Sequence, residues 1–335
     1  MNELLQKLLK LQDLTFDESH QAIQWIMSED ATPIKAGAFL ALLQAKGANV
    51  EEIAGAATAM RQKSAHIQAP ANAVDTCSTG GNGISTFNIS TCAAIIAAAG
   101  GAVVAKHGNR SNTRKSGSAE ALEALGVNIN IDLPKVEQCL AQTNICFCYA
   151  IKHHPAMKFA GPIRKELGIP TIFNILGPLT NPAGAMDQVL GVPSVEWTHK
   201  LAQALQRLGS RNAMVVTGED GLCELTTTSK TYVAELRNGL VKTYSLTPED
   251  LGMKKGSLKE LSVNSADESA QMIRQILSGK NLGPAKDVAI LNAAAALYVA
   301  EKTATLKEGI ARAKELVENG MAMKKLEQLI DFTQS

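Results

Sequence analysis

Residues 104–118, VAKHGNRSNTRKSGS, concentrate more hydrogen-bond donors than a solvated turn needs. Four cations (Lys106, Arg110, Arg114 and Lys115) stand with a histidine, two asparagines, a threonine and three serines around two glycines, and no acid balances them. A second stretch, CSTGGNGISTFNIST at 77–91, sets Gly80, Gly81 and Gly83 ahead of Ser90 and Thr91. Glycines let the backbone turn tightly and bring bare N–H groups against a ligand. Small hydroxyls at the positive end of a following helix complete a phosphate site. The first loop is neither a Walker loop, lacking the terminal Gly-Lys-Ser/Thr, nor a dinucleotide fingerprint. Each stretch follows a β-type run and precedes a helical one. Loops at the carboxyl ends of parallel strands share one edge of an open sheet, where ligands bind. The two together therefore predict one polyanion site; a solvated basic turn is the alternative for residues 104–118.

The elements that must carry these loops are readable from periodicity. Residues 1–66 are helical throughout. Thr15 to Glu18 and Asn49 to Glu52 have capping-box spacing, and Thr32-Pro33 is an N-cap followed by proline, which divides the segment into four short helices forming a small bundle. After Pro70, short β-type runs (AVDTC, AVVAK, ICFCYA, QVLGV, NAMVVTG) alternate with helical stretches at 88–100, 117–125 and 195–208. That alternation predicts an α/β domain with a central, mostly parallel sheet. Asn238-Gly239 signals a hairpin. A third capping box at Ser265 to Glu268 and stretches at 285–301, 305–318 and 321–332 predict closing helices. Between about 155 and 185 the helical, Pro-rich pattern returns. The expected organisation is a small α-helical domain of residues 1–70 plus roughly 155–185, and a large α/β domain of 71–154 and 186–335, with the cleft between them.

Composition narrows the function classes. The 335 residues are 45% hydrophobic and 19% charged, and 33 basic against 32 acidic side chains leave a net charge of +1. A global field for nucleic acid or an anionic membrane is thus absent. The Ala-rich apolar runs at 91–105 and 288–300 fall short of a membrane span. An amphipathic start with an early Glu3 is unlike a signal peptide. Six cysteines without framework spacing point to reduced thiols in the cytoplasm, with Cys146 and Cys148 structural in a buried strand. No Cys/His cluster has zinc-site spacing.

In chain order, STGGNGISTFNIST, KHGNRSNTRKSGSAEALEALG, HHPAMKFAGPIRKELG and TIFNILGPLTNP closely resemble the motifs of the anthranilate phosphoribosyltransferase family, and the similarity runs over nearly the whole chain. The resemblance implies transfer of phosphoribosyl from 5-phosphoribosyl-1-diphosphate (PRPP) to the amine of anthranilate in tryptophan biosynthesis, with Mg²⁺ required. It implies PRPP contacts from Ser78, Gly81, Asn82, Thr86, Asn88, Ile89, Ser90 and Thr91 in the first loop. From the second loop it implies Lys106, His107, Gly108, Asn109, Arg110 and Ser118. Anthranilate falls to Ser78, Asn109 and Arg164, the last suited to its carboxylate, and metal to Ser90 and Glu224. No side chain is assigned a catalytic proton transfer, because an aromatic amine is already free base at pH 7. His107 borders the acceptor pocket, as a loop-fixing or a reacting group. His153 and His154 read as structural residues at a helix entry. The family also implies a homodimer formed through the helical domain, to which the apolar faces of 4–11 and 34–43 are suited. A relative acting on another amine or a nucleoside, and a non-catalytic binding protein, are the competing readings.

Three positions depart from the family pattern. Its first loop reads Gly-Thr-Gly-Gly-Asp-Gly where this chain has Ser78-Thr79-Gly80-Gly81-Asn82-Gly83, and its Asp-Glu metal pair is Cys223-Glu224 here. A thiol is a poor ligand for a hard cation; Asp220 and Glu219 are the nearby acids able to compensate. The expectation is a weaker dependence on a second Mg²⁺ ion, or lower turnover, than the family norm. A Mg²⁺ titration of the initial rate checks it. Two strong dependences with an unchanged rate in Cys223→Asp would overturn it.

Overall fold

The computed structural model describes residues 1–81, 83–111, 115–280 and 283–335. Four amino-terminal helices, α1 (Asn2–Leu9), α2 (Phe16–Ile26), α3 (Pro33–Lys46) and α4 (Val50–Gln62), form the bundle. Thr15 Oγ1 accepts from Glu18 N at 3.2 Å while the Glu18 carboxylate accepts from Thr15 N at 2.9 Å, and Asn49 and Glu52 make both corresponding bonds at 2.8 Å. Pro33 opens α3 as expected, but Thr32 makes no side-chain capping bond. The proline's preset φ starts that helix.

Among the described residues, one sheet holds β1 (Ala73–Ser78), β2 (Val103–Gly108), β3 (Ile145–Tyr149), β4 (Asp187–Gly191), β5 (Asn212–Gly218), β6 (Thr231–Arg237) and β7 (Leu240–Leu246). Their order is β3-β2-β1-β4-β5-β6-β7. The first five are parallel; β6 and β7 run antiparallel, turning through Asn238 and Gly239, both at positive φ. Helices α5 (Ile89–Ala99) and α6 (Ser118–Ala124) follow β1 and β2, and α7 (Leu133–Thr143) leads into β3. An excursion through α8 (Ala150–His153), α9 (Met157–Leu167) and α10 (Phe173–Leu176) precedes β4, and α11 (Val195–Arg207) joins β4 to β5. The chain closes with α12 (Ala266–Leu277), α13 (Pro284–Val299), α14 (Leu306–Glu318) and α15 (Met321–Gln334). Ser265 caps α12 through Glu268 N at 3.1 Å, but the return bond goes one residue earlier, from Asn264 N to the Glu268 carboxylate at 2.8 Å. No helix among the described residues is long and apolar enough to cross a membrane.

The two-residue period of the strands sorts their side chains between two cores. Val189, Met214, Val216 and Val233 pack with α5 and α13, whereas Leu190, Ala213, Val215 and Ala234 pack with α11 and the bundle. The excursion joins that second core: Ile163 and Leu176 are buried in it, and Gly37 of α3 faces Leu167 and Ile163 across α9. The helical bundle therefore rests on one face of the sheet and reaches its carboxyl edge through α9 and α10.

Helices α2 and α4 meet most closely at Gly55, where an added Cβ would stand 2.2 Å from Phe16 O. Gly55→Ala gains about 1 kcal/mol of helix propensity, but a clash with backbone oxygen cannot be relieved by a side-chain rotation. The net expectation is a loss of about 1–3 kcal/mol, read as a thermal midpoint lowered by several degrees in far-UV circular dichroism. An unchanged midpoint would count against this crossing.

Candidate functional site

The first loop leaves β1 at Ser78 and is secured at both ends. Thr79 N donates to Gly191 O at 3.0 Å, and Gly80, Gly81 and Gly83 take φ values of 66°, 86° and 69° that side chains disfavour. Its outgoing limb is stitched to the segment before α12 and to that helix: Phe87 N donates to Leu261 O at 2.9 Å, Val263 N to Ser85 O at 3.2 Å and Asn88 N to Ser269 Oγ of α12 at 2.9 Å. Asn88 caps α5, its Oδ1 accepting from Thr91 N at 3.2 Å and also from the Thr91 hydroxyl. Ser90 and Thr91 therefore lie in the first turn of that helix. The Thr86 hydroxyl is buried with no hydrogen-bond partner among the described residues, a costly state. Ile89 puts its side chain in the core, and its N–H donates to Phe87 O at 2.8 Å. Asn82, and Arg114 in the second loop, lie outside the described residues.

The second loop leaves the adjacent strand. Lys106, 3% exposed, donates through Nζ to Thr76 O on β1 and to Ser90 Oγ at 3.1 Å, so one ammonium joins both loops. Burial lowers its pKa, and the charge of Asp75 opposes that shift. Asp75 is fully buried; its carboxylate accepts from His107 N at 3.1 Å and from Asn181 Nδ2 at 2.8 Å, and Asn181 also donates to Ala105 O at 2.7 Å. An added Cβ at Gly108 would sit 2.2 Å from Ser118 Oγ and 2.7 Å from Phe147, so glycine is required to seat Ser118 against the strand end. Ser118 Oγ and Ala119 N both donate to Asn109 O at 3.3 Å. Glu120 closes the loop's base, accepting from Ser111 N at 3.2 Å and Gly117 N at 3.1 Å. Arg110, expected at PRPP, bonds Tyr149 OH at 3.1 Å and Glu123 at 2.8 Å.

The acceptor side is bound to these loops through α10. His107 Nδ1 lies 3.1 Å from Gly177 O and its Nε2 3.1 Å from His154 Nε2. A carbonyl only accepts, so His107 carries its proton on Nδ1 and His154 donates from Nε2. Burial holds His107 well below the ordinary imidazole value, and His154 falls to about 4 for the same reason. His153 ends a short helix and bonds Ala65 O at 2.7 Å, a structural role, whereas His154 contacts the loop histidine directly. At the other end of α10, the Arg164 guanidinium lies 5.4 Å over the Phe173 ring, half-buried, with no acid paired to it among the described residues. Burial lowers its pKa, although a guanidinium keeps its charge.

Opposite the first loop, Glu224 and Cys223 line a small cavity with Ser90, Thr76 and Asn292. The Cys223 thiol reaches Gly80 O at 3.7 Å. Asp220 spends its carboxylate on Thr226, Thr228 and Leu222 N, and Glu219 faces Lys230 and Tyr232. Both acids have protein partners in this arrangement. One carboxylate and one hydroxyl are oxygen donors that suit Mg²⁺, a cation usually held by one or two carboxylates together with substrate phosphates.

Protein-family models match residues 2–64 as the glycosyl transferase family's helical bundle domain and 70–323 as its a/b domain. Bundle, sheet and paired loops thus define a two-domain glycosyl transferase. An anthranilate phosphoribosyltransferase of Acetivibrio thermocellus is 47% identical over 336 residues, covering 100% of this chain and 97% of that protein. The crystal structure of the Thermus thermophilus enzyme of that name superposes with a TM-score of 0.93 at 39% identity, covering 99% of each chain. The Saccharomyces cerevisiae enzyme in complex with PRPP and Mg gives 0.89 at 30% identity, over 99% of this chain and 97% of that one. The chain belongs to the anthranilate phosphoribosyltransferase family.

The histidine pair makes a pH prediction. Unfolded, His154 takes up a proton near pH 6.5; folded, only near 4. Between those values the unfolded chain binds more protons, so stability falls as pH drops from 6.5 toward 4. At pH 5.5 this group alone removes about 1 kcal/mol. His154→Gln is expected to flatten the decline in thermal midpoint between pH 7 and 5 relative to the parent. Parallel profiles would refute the assignment.

Proposed function

We propose that this chain transfers the 5-phosphoribosyl group of PRPP to the amine of anthranilate, giving N-(5-phosphoribosyl)anthranilate and pyrophosphate, the second pathway-specific step of tryptophan biosynthesis from chorismate. The observation that carries the reading is the pair of donor-rich loops on neighbouring parallel strands, joined by the buried Lys106 ammonium and tied through His107 and α10 to the Arg164 side. In the reaction the bond from ribose C1 to the diphosphate oxygen breaks, the amine nitrogen bonds to C1 and sheds a proton, and the electron pair leaves with the pyrophosphate.

Loop amides, the first turn of α5 and Lys106 receive the diphosphate and neutralise charge as it leaves. Thr86, buried and unpaired, supplies a further donor. Ser90 Oγ and the Glu224 carboxylate are the groups that would hold Mg²⁺, which when bound adds positive charge at the leaving group. Arg164, with Asn109 and Ser78, holds the anthranilate carboxylate and aims the amine at C1. Positioning then does most of the work, because the nucleophile needs no activation. Domains of 1–70 with 155–185, and of 71–154 with 186–335, place that cleft between bundle and sheet. We assign the enzyme to the cytoplasm as a homodimer. Leu9, Leu11 and Ile34, 59%, 69% and 86% exposed on α1, the turn after it and α3, support an interface on the bundle.

Loss of a charge-assisted carboxylate contact costs about 1.5–3 kcal/mol. Arg164→Ala is therefore expected to raise KM for anthranilate by about 10-fold or more while leaving KM for PRPP within about twofold. Product fluorescence and pyrophosphate release measure both. Equal effects on the two substrates would displace Arg164 from the acceptor site, and no turnover from a protein that binds PRPP would point to another acceptor.

A further inference from the structure

Helix α13 is apolar along its buried length, with one exception. Asn292 is the single polar side chain among its buried residues, at 4% exposure. A buried amide costs stability unless its hydrogen bonds are made. Asn292 makes them in a particular way. Its Oδ1 accepts from Leu225 N at 3.1 Å, and its Nδ2 donates to Leu225 O at 2.8 Å and to Val288 O, one turn back on α13, at 2.8 Å. The two Nδ2 protons both go to carbonyls, which determines the amide's orientation. Both backbone groups of Leu225 are thereby tied to a helix 67 residues away in sequence.

Leu225 directly follows Glu224. On the other side of the same short segment, β4 ends against it: an added Cβ at Gly191 would lie 1.5 Å from Cys223 O. The backbone from Cys223 to Leu225 is held between a strand end and a helix amide. Asn292, Glu224 and Ser90 line the same cavity. Helix α13 also packs on α5, which carries Ser90 in its first turn.

We propose that Asn292 is a positioning residue for Glu224, holding its backbone so that the carboxylate meets Ser90 at a divalent cation and the PRPP diphosphate. The inference rests on the phosphoribosyl transfer reading above. It gives α13 a role in metal affinity, whereas a packing role alone would affect stability. Outer groups that orient metal ligands are typically worth 10–100-fold in affinity.

The test compares Asn292→Ala, Glu224→Gln and Gly309→Ala in the full-length protein. Gly309 of α14 packs on α13 with its Cβ position 2.8 Å from Ala294 O, so its substitution loosens the same helix without touching Leu225. The readouts are the Mg²⁺ concentration for half-maximal rate and the thermal shift caused by PRPP with and without Mg²⁺. Asn292→Ala is expected to raise the required Mg²⁺ about 10-fold or more and to shrink the Mg²⁺-dependent part of the PRPP shift. KM for anthranilate should remain within about twofold, and Gly309→Ala should lower the midpoint with neither Mg²⁺ effect. An unchanged Mg²⁺ requirement in Asn292→Ala, or the same change in Gly309→Ala, overturns the proposal. If Glu224→Gln leaves the Mg²⁺ dependence intact, it is the metal reading of Glu224 that fails. Asn292→Ser, which cannot bond both groups of Leu225, serves if the alanine variant does not fold; failure of both to fold assigns Asn292 to the core alone.

Discussion

An ammonium group buried at the carboxyl end of a sheet is the constraint around which this protein is arranged. Removing a lysine from water costs several kcal/mol unless charge and hydrogen bonds replace the lost solvation. Lys106 receives them from Thr76 O, Ser90 Oγ and the opposing charge of Asp75. Asp75 is itself buried, and it is held by His107 N and Asn181. The partners come from four segments: β1, which carries both Thr76 and Asp75, the first turn of α5, β2, and the return from the helical excursion. Satisfying one cation therefore brings the two loops to one edge and anchors the Asn181-containing motif beneath them.

The same economy links the two structural units. Ala65 N donates to His153 O at 2.7 Å, Ile67 N to Pro182 O at 3.2 Å, and His107 meets both Gly177 O and His154. The segments that pass between bundle and sheet are hydrogen-bonded beside the loops. The helix carrying Arg164 is thus referenced to the two loops, over one turn of α10.

The departures from the family pattern acquire a physical description. Ser78 ends β1 with its Cβ 3.1 Å from the place a Gly191 Cβ would take, so a glycine opposite makes room for it. Cys223 turns its thiol to Gly80 O and thereby connects the turn before Glu224 to the first loop. Where the family pattern has an aspartate, this chain has a weak hydrogen bond between loops. Arg110, one of the cations that made residues 104–118 conspicuous, faces Glu123 and Tyr149 and serves the loop's shape. Composition alone does not separate a loop's ligand donors from its own struts.

Periodicity, caps and turns were sufficient for the bundle, the alternation of strands and helices, the Asn238-Gly239 hairpin and the strand-to-helix position of both loops, because each is a local property of the chain. Helix α7 is local too, its start marked by Asp132 and Pro134. The resemblance of the loop motifs pointed to the chemistry. What the sequence could not decide was pairing across distance. Asp75 looks like one acid in an apolar strand and Asn292 like one amide in an apolar helix; buried polar residues in such runs are the signal that could have found them. Their partners, Asn181 and Leu225, lie 106 and 67 residues away. Likewise His154 read as a helix-entry residue until the fold set it against His107. Secondary structure follows from neighbours along the chain, whereas the burial that obliges a polar group to find a partner exists only once the sheet and helices have packed.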